Sequence, residues 1–232
     1  MAREPYYNHE DGYKELRDRS GKAWDDLFEG NKKDNPNHPY HEFLEFIKSD
    51  YAPKGGRAID LGCGGGQVSF FLCDYGFEVV GIDYSQTAIE IARENAKELG
   101  KQVIFERGDI LDLKGIVSES FDLVVDNHVS HCILPQDRGR YFSEASRILK
   151  PEGIYFSSVM AIREPSKPEE IMDMGVDPET RIYKSGKRYV VTRDEFIREL
   201  VSHGLFPLSI KEDNFDRPSY MDLTIYAKKR KK

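Results

Sequence analysis

The sequence is poor in cysteine, with only Cys63, Cys73 and Cys132 among 232 residues. An odd count without paired spacing argues against the disulfide frameworks that stabilise small secreted domains. Long apolar runs are also missing, and none approaches the roughly 20 residues that a membrane-spanning helix needs. No apolar signal-peptide core follows the first methionine. We therefore expect a cytoplasmic protein that does not associate with membranes.

Positive charge is in the minority, with 34 lysines and arginines against 41 acidic residues and a net charge of −7. The last five residues, 228–232, are all basic, and subtracting their +5 leaves −12 on the rest of the chain. An acidic body is a poor match for the phosphate backbone of DNA or RNA. We expect no nucleic-acid partner and interpret the basic tail as a solvated chain end.

Apolar runs alternate with helical patterns along the middle of the chain. The predicted strands are 57–61, 78–82, 103–107, 121–126 and 153–160, and the predicted helices between them are 68–75, 85–99 and 137–149. Such alternation predicts βαβ units, a parallel sheet and helices on both faces. A capping box at 192–195 begins a further helix, and strands at 208–212 and 222–227 follow without a helix between them. The pattern predicts a doubly wound, Rossmann-like α/β fold that ends in an antiparallel hairpin.

Two segments fall outside this alternation of strands and helices. Residues 1–55 are predicted to form a separate helical segment, with helices near 10–30 and 39–50, and residues 56–232 form the main domain. Residues 161–191 interrupt that domain with prolines and glycines among many charges. An irregular stretch of this length is typical of a functional lid or of a disordered segment.

A glycine-rich loop, Asp60-Leu61-Gly62-Cys63-Gly64-Gly65-Gly66, follows the first predicted strand. Its glycines permit a sharp turn and let a ligand approach bare backbone. In doubly wound folds, ligands bind at the carboxyl ends of the strands, where the strand order switches. Because a strand precedes the loop and a helix follows it, the loop predicts a nucleotide-type ligand.

Acidic residues follow the next two strands. Asp83 ends the second strand, and a carboxylate there can accept hydrogen bonds from both ribose hydroxyls. Tyr84 is placed to pack on an adenine face. After the third strand, Asp109 can accept from an adenine amino group and the amide of Ile110 can donate to a ring nitrogen. Asp112 is an alternative to Asp109.

Together, these features resemble the class I S-adenosylmethionine-dependent methyltransferases over about residues 55–160. The resemblance rests on the loop at 60–66, Asp83, Gly108-Asp109-Ile110, the strand at 121–125 and the turn Leu149-Lys150-Pro151-Glu152-Gly153. It implies a seven-stranded sheet with the last strand antiparallel, S-adenosylmethionine as cofactor and methyltransferase activity.

The resemblance also implies roles for individual residues. Gly62 and Gly64 would lie under the methionine part and Asp60 would orient its end. Asp83 would hold the ribose, and Asp109 with Ile110 the adenine. The expected cofactor site is completed by Cys63, Tyr84 and Asn127. The N-terminal segment, with Tyr6, Tyr7, Tyr13 and Trp24, would close over the cofactor as a lid.

The loop after the fourth strand, residues 125–132, would border the methyl group and its acceptor. It lacks the Asn/Asp-Pro-Pro-Tyr signature of many nucleobase and glutamine N-methyltransferases. His131, and next His128, are candidate general bases, because a neutral imidazole can accept a proton near pH 7. The alternative is that they only pack, and that alignment and desolvation suffice. His128-x-x-His131-Cys132 has no second ligand pair for zinc, so we expect no metal.

The predicted function is methyl transfer to a small-molecule acceptor by a monomer or homodimer. A nicotinamide-dependent Rossmann oxidoreductase is the main alternative, but its Gly-x-Gly-x-x-Gly fingerprint would place glycine where Gln67 stands. A non-catalytic S-adenosylmethionine-binding module and a protein methyltransferase also remain open.

Overall fold

The apolar runs of the central chain form one sheet with helices packed against it. The computed structural model describes residues 8–20, 40–163, 167–184, 188–213 and 220–231. The strands are β1 (Gly56–Leu61), β2 (Phe77–Asp83), β3 (Val103–Arg107), β4 (Phe121–Asn127), β5 (Leu149–Ile162), β6 (Val191–Thr192), β7 (Leu205–Glu212) and β8 (Tyr220–Lys229). The helices are α1 (Asn8–Ser20), α2 (His41–Lys48), α3 (Gln67–Asp74), α4 (Gln86–Leu99), α5 (Pro135–Ile148), α6 (Pro168–Asp173) and α7 (Arg193–Ser202).

The strand order is β3-β2-β1-β4-β5-β8-β7, with β6 paired to β5. Strands β1 to β5 are parallel, whereas β8 is antiparallel to both β5 and β7. The order switches between β1 and β4, which leaves a crevice at their carboxyl ends. The doubly wound fold with an antiparallel last strand is confirmed. The two-residue β6 was not predicted, and with it the described sheet has eight strands rather than seven.

Alternating side chains along the strands bury both faces of the sheet. In β1, Ile59 joins the cluster that contains Phe142 of α5 and Phe196 of α7, whereas Ala58 joins the cluster that contains Phe43 of α2. Burying one large apolar side chain contributes about 1.5–3 kcal/mol. The two clusters therefore hold the strands whose ends form the crevice.

Capping residues define the ends of the helices. Ser85 precedes α4 and its Oγ accepts a hydrogen bond from the Ala88 N–H at 3.0 Å, and Gly100 ends the helix with φ +66°. Thr192 and Glu195 form the predicted capping box of α7. Helix α5 begins two residues earlier than predicted, because Pro135 suits a first helical position.

The two segments outside the alternating strands and helices, residues 1–55 and 161–191, contain regular structure in part. Part of the predicted N-terminal lid lies outside the described residues, namely Tyr6, Tyr7 and the range 21–39, which includes Trp24. Helix α2 packs into the core, and the stretch between β5 and β6 holds α6 and two short bridges. The chain division at residue 55 and the lid role of 161–191 stay predictions.

Within the described ranges, no helix is both long and apolar enough to span a membrane.

Candidate active site

A cavity of about 570 Å³ opens at the carboxyl ends of β1, β2 and β4. It gathers residues from loops that are far apart in sequence. Every predicted site residue lines it, namely Asp60, Gly62, Cys63, Gly64, Asp83, Tyr84, Asp109, Ile110, Asn127, His128 and His131. The alternative Asp112 does not line it and instead pairs with Lys114 at the surface.

The glycine loop needs glycine for its shape. Gly62 and Gly64 adopt φ of +69° and +53°, in the left-handed region that side chains disfavour. A Cβ on Gly62 would lie 2.6 Å from Cγ2 of Val129. The Gly62 N–H donates to the Ile82 carbonyl at 2.7 Å, which ties the loop to β2. The loop therefore presents backbone to the cavity.

Asp83 is buried at the end of β2 and is held by two backbone amides. Its Oδ2 accepts from the Gly64 N–H at 3.0 Å and its Oδ1 from the Ser85 N–H at 2.8 Å. Burial raises the pKa of Asp83, although these hydrogen bonds oppose the shift. Each carboxylate oxygen can accept more than one hydrogen bond. The side chain is thus oriented and able to receive hydroxyl donors.

Asp60 is fixed by a residue that the sequence did not single out. The Ser69 hydroxyl of α3 donates to Asp60 Oδ2 at 2.7 Å, and both side chains are buried. A serine in the first turn of a helix is ordinary, so no sequence signal marked it. The contact holds Asp60 against the start of α3.

The loop after β3 joins the Asp83 end of the cavity. The Gly108 N–H donates to the Asp83 carbonyl at 2.9 Å. Asp109 Oδ1 accepts from the Leu111 N–H at 2.9 Å, which fixes the carboxylate beside Ile110. The residues predicted for ribose and adenine therefore lie in adjoining, hydrogen-bonded loops.

The loop after β4 is shaped by Asp126, which is fully buried. Its Oδ1 accepts from the N–H groups of Val129 and Ser130 at 2.9 and 3.0 Å. Its Oδ2 accepts from the Tyr155 hydroxyl at 2.7 Å and the Ser157 hydroxyl at 3.2 Å. This role was missed, because the partners on β5 are about 30 residues away. Asp126 sets the path of the loop that carries the two histidines.

His131 is buried in a short 3-10 helix, Ser130–Cys132. The Met160 N–H donates to its Nδ1 at 3.3 Å, and its carbonyl accepts from the Tyr189 N–H at 2.7 Å. Burial lowers the pKa of His131 well below its usual 6.5, with smaller contributions from His128, Arg188 and other cations. A ring that accepts at Nδ1 and stays neutral carries its proton on Nε2. In this state, Nε2 is a hydrogen-bond donor.

Arg138 supports the same 3-10 helix from α5. Its guanidinium is buried, donates to the Ser130 carbonyl at 2.5 Å and pairs with Glu199 at 2.6 Å. A buried charge persists only when it is paired and hydrogen-bonded, and both conditions hold here. Arg138 therefore positions His131 from behind.

The rest of the cavity wall comes from segments that no sequence motif connects. His9 and Tyr13 of α1 lie on one side, and Met160, Arg188 and Asp222 on another. Tyr13 was expected near the cofactor and Arg188 belongs to the predicted lid at 161–191, whereas His9, Met160 and Asp222 were missed. Cys132 also lines the cavity, and burial raises the pKa of its thiol to about 11.

Helix α1 is held over the cavity through Glu10. This carboxylate accepts from the Ser85 hydroxyl at 2.6 Å and the Thr87 hydroxyl at 2.8 Å, at the start of α4. Burial would raise the pKa of Glu10, but these hydrogen bonds outweigh it and lower the pKa to about 2. Arg17 adds ion pairs to α4. The docked helix brings His9 and Tyr13 to the cavity.

Among the described residues, no cluster of three or more potential metal ligands occurs.

Comparison with known proteins identifies the family. Residues 52–193 match the family model described as a methyltransferase domain. The ubiquinone biosynthesis O-methyltransferase of Hahella chejuensis is 32% identical over 126 residues, which are 52% of this chain and 52% of that protein. The ribosomal protein L11 methyltransferase of Thermotoga neapolitana is 34% identical over 131 residues, 55% of this chain and 48% of that protein.

A solved structure of a methyltransferase shares the fold. The 1,6-didemethyltoxoflavin-N1-methyltransferase of Burkholderia thailandensis aligns with a TM-score of 0.67 at 17% identity, covering 100% of this chain and 92% of that one. The chain spans about half the length of the two curated relatives described above. The matched domain includes the glycine loop, Asp83 and the histidine loop. The chain belongs to the class I S-adenosylmethionine-dependent methyltransferases.

Proposed function

We propose that this protein transfers a methyl group from S-adenosylmethionine to a small-molecule acceptor bound in the same cavity. The observation that carries the proposal is the cavity itself. At one end it collects the glycine loop, Asp83 and Asp109, and at the other it continues past Asn127 to His131. The first end suits the cofactor, and the second, which we call the acceptor end, provides room for the acceptor.

The residues at the first end fit S-adenosylmethionine, which supplies a methyl group on a sulfonium. Gly62 and Gly64 offer bare backbone to the methionine part, and Asp60 orients its end. The oriented carboxylate of Asp83 accepts from the ribose hydroxyls. The adenine is held by Asp109, Ile110 and Tyr84. The remaining assigned residues, Cys63 and Asn127, border this site.

At the acceptor end, we assign His131 a donor role. A base that works through Nε2 needs its lone pair there, but the Met160 N–H directs the lone pair to Nδ1. The proton on Nε2 can instead donate to an oxygen of the acceptor and align it. His128 is less buried, and its Nε2 lies 3.4 Å from the Ser158 hydroxyl. It is the candidate base where the acceptor must lose a proton.

A small molecule suits the acceptor end better than a macromolecule does. Helix α1 lies over the cavity, and His9 and Tyr13 narrow the approach to it. The net charge of −7 does not favour nucleic acid. The relatives named above include one linked to ubiquinone biosynthesis and one to a ribosomal protein, so the acceptor class requires a direct test.

The test offers the protein S-adenosylmethionine with three fractions of a bacterial extract, namely metabolites, protein and RNA. Release of S-adenosylhomocysteine is followed by mass spectrometry. We expect turnover with the metabolite fraction and none with Asp83→Asn at low cofactor concentration. Turnover confined to the protein or RNA fraction would overturn the small-molecule assignment.

A further inference from the structure

Arg188 brings a positive charge to the acceptor end of the cavity. Its Nη1 lies 3.7 Å from the Met160 sulfur, and its positive charge partly opposes the rise in the pKa of the Cys132 thiol that burial causes. Thioether and thiol sulfurs are weak acceptors. Because Arg188 is also exposed, most of the hydrogen-bonding capacity of this guanidinium is open to water or to a ligand that replaces the water.

The other arginines of this region differ from Arg188 in having carboxylate partners. Arg138 pairs with Glu199, and Arg163 pairs with Asp213 at 3.4 Å. In the described part of the chain, no carboxylate lies within 4.0 Å of Arg188, although the residue lines the cavity. A cation that faces a cavity without a protein counter-ion is suited to an anionic ligand.

Charges and hydrogen-bond donors of several kinds surround this end of the cavity. Arg138 lies behind His131, whose Nε2–H is a further donor. The carboxylates of Asp60 and Asp83 already accept hydrogen bonds from the protein. Asp222 lines the same cavity and pairs with Met160 across the β5–β8 ladder, and the carboxylates of Asp126 and Asp83 also act on Cys132. Because the negative charge of Asp222 opposes the binding of an anion, we test it with a variant of its own.

We infer that the acceptor is a small carboxylic acid whose carboxylate is bound by Arg188. The planar guanidinium matches a carboxylate with two parallel N–H donors. With the acid held there, the Nε2–H of His131 aligns a second oxygen of the same molecule. This inference rests on the proposed function, since it names the chemical class of the acceptor for that site.

The experiment compares isosteric pairs of probes on the protein saturated with S-adenosylhomocysteine. The pairs are benzoate with benzamide, 4-hydroxybenzoate with 4-hydroxybenzamide, and 3,4-dihydroxybenzoate with its amide. Affinities are measured by ligand-observed NMR. At least one acid should bind about tenfold more tightly than its amide. Arg188→Gln should abolish that preference, and Arg188→Lys should keep part of it.

Matched variants separate this site from general charge effects. Arg193→Gln removes a surface arginine that does not line the cavity, and should keep the preference. Asp222→Asn removes the negative wall charge, and should not weaken binding of the acids. Arg188→Gln should bind S-adenosylhomocysteine as the wild type does.

Two outcomes overturn the inference, namely a panel in which no acid outbinds its amide, and a preference that survives Arg188→Gln. The proposed function fails separately, if the wild type does not bind S-adenosylhomocysteine at all.

Discussion

Replacing Asp83 by asparagine tests the cofactor site with little change in shape. The carboxylate accepts from Gly64 and Ser85 with different oxygens, whereas an amide has one oxygen and presents an NH₂ group at the other position. One backbone donor would then face a donor in the free protein, and one ribose hydroxyl would face a donor in the complex. Only the ribose hydroxyl affects affinity, and leaving it unsatisfied costs about 1–3 kcal/mol. The dissociation constant of S-adenosylhomocysteine should therefore rise about 5- to 150-fold.

The stability of the free protein should respond differently. Because burial raises the pKa of Asp83, its ionised form is less favourable in the folded than in the unfolded state. That penalty is present above the folded pKa and disappears as pH falls below 3.8. Removing the charge at neutral pH should therefore recover part of the free energy of unfolding that is lost with the hydrogen bond. The melting temperature should consequently change little.

Calorimetric titration measures the affinity, and thermal unfolding in the same buffer measures the stability. Asp112→Asn serves as a control, because this aspartate lies outside the cavity. A dissociation constant within threefold of wild type for a folded Asp83→Asn would refute the assignment of Asp83 to the ribose.

Three further predictions concern the acceptor, the loop and the helix over the cavity. His131→Ala should lower turnover about tenfold or more without changing S-adenosylhomocysteine affinity. Between about pH 8 and pH 6 the rates of wild type and variant should change in parallel, because the pKa of His131 lies well below 6.5. A fall near pH 6.5 that wild type shows and the variant lacks would restore the base role of His131. Gly62→Ala should lower the free energy of unfolding by about 1–3 kcal/mol, because the added Cβ meets the Val129 side chain. In a double-mutant cycle, Val129→Ala should recover part of this loss. Simple additivity of the two substitutions would contradict the contact. The folded pKa of Glu10, about 2, lies below the usual 4.5, so the stabilisation by its carboxylate is present above pH 4.5 and is lost as pH falls towards 2. The difference in unfolding free energy between wild type and Glu10→Gln should therefore shrink over that range. A constant difference would contradict the hydrogen bonds to α4.

Local patterns were enough to predict most of the fold. The apolar runs, the glycine loop and the caps at Ser85 and Thr192 each act within a few residues, so each leaves a readable signature. The two-residue β6 leaves no such signature. The start of β5 was also missed, because Pro151 and Gly153 read as a turn whereas the strand passes through them with a shift in register.

The candidate site was predicted only where it follows strand ends. Asp60 and Asp83 lie at the carboxyl ends of their strands and Asp109 lies just after one, so topology alone places them together. Ser69, Asp126 and Arg188 act through partners that are distant in sequence or on other elements. The tautomer of His131 likewise depends on the Met160 amide, 29 residues away. Such pairings arise from tertiary packing, so sequence spacing does not show them.

A crystal structure with bound S-adenosylhomocysteine would show how the cavity holds the cofactor. We expect the ribose hydroxyls on Asp83, the adenine beside Asp109 and Ile110, and the sulfur directed towards the acceptor end at His131 and Arg188. A ligand bound in the reverse orientation, or with its ribose away from Asp83, would contradict the assignment of this site to S-adenosylmethionine.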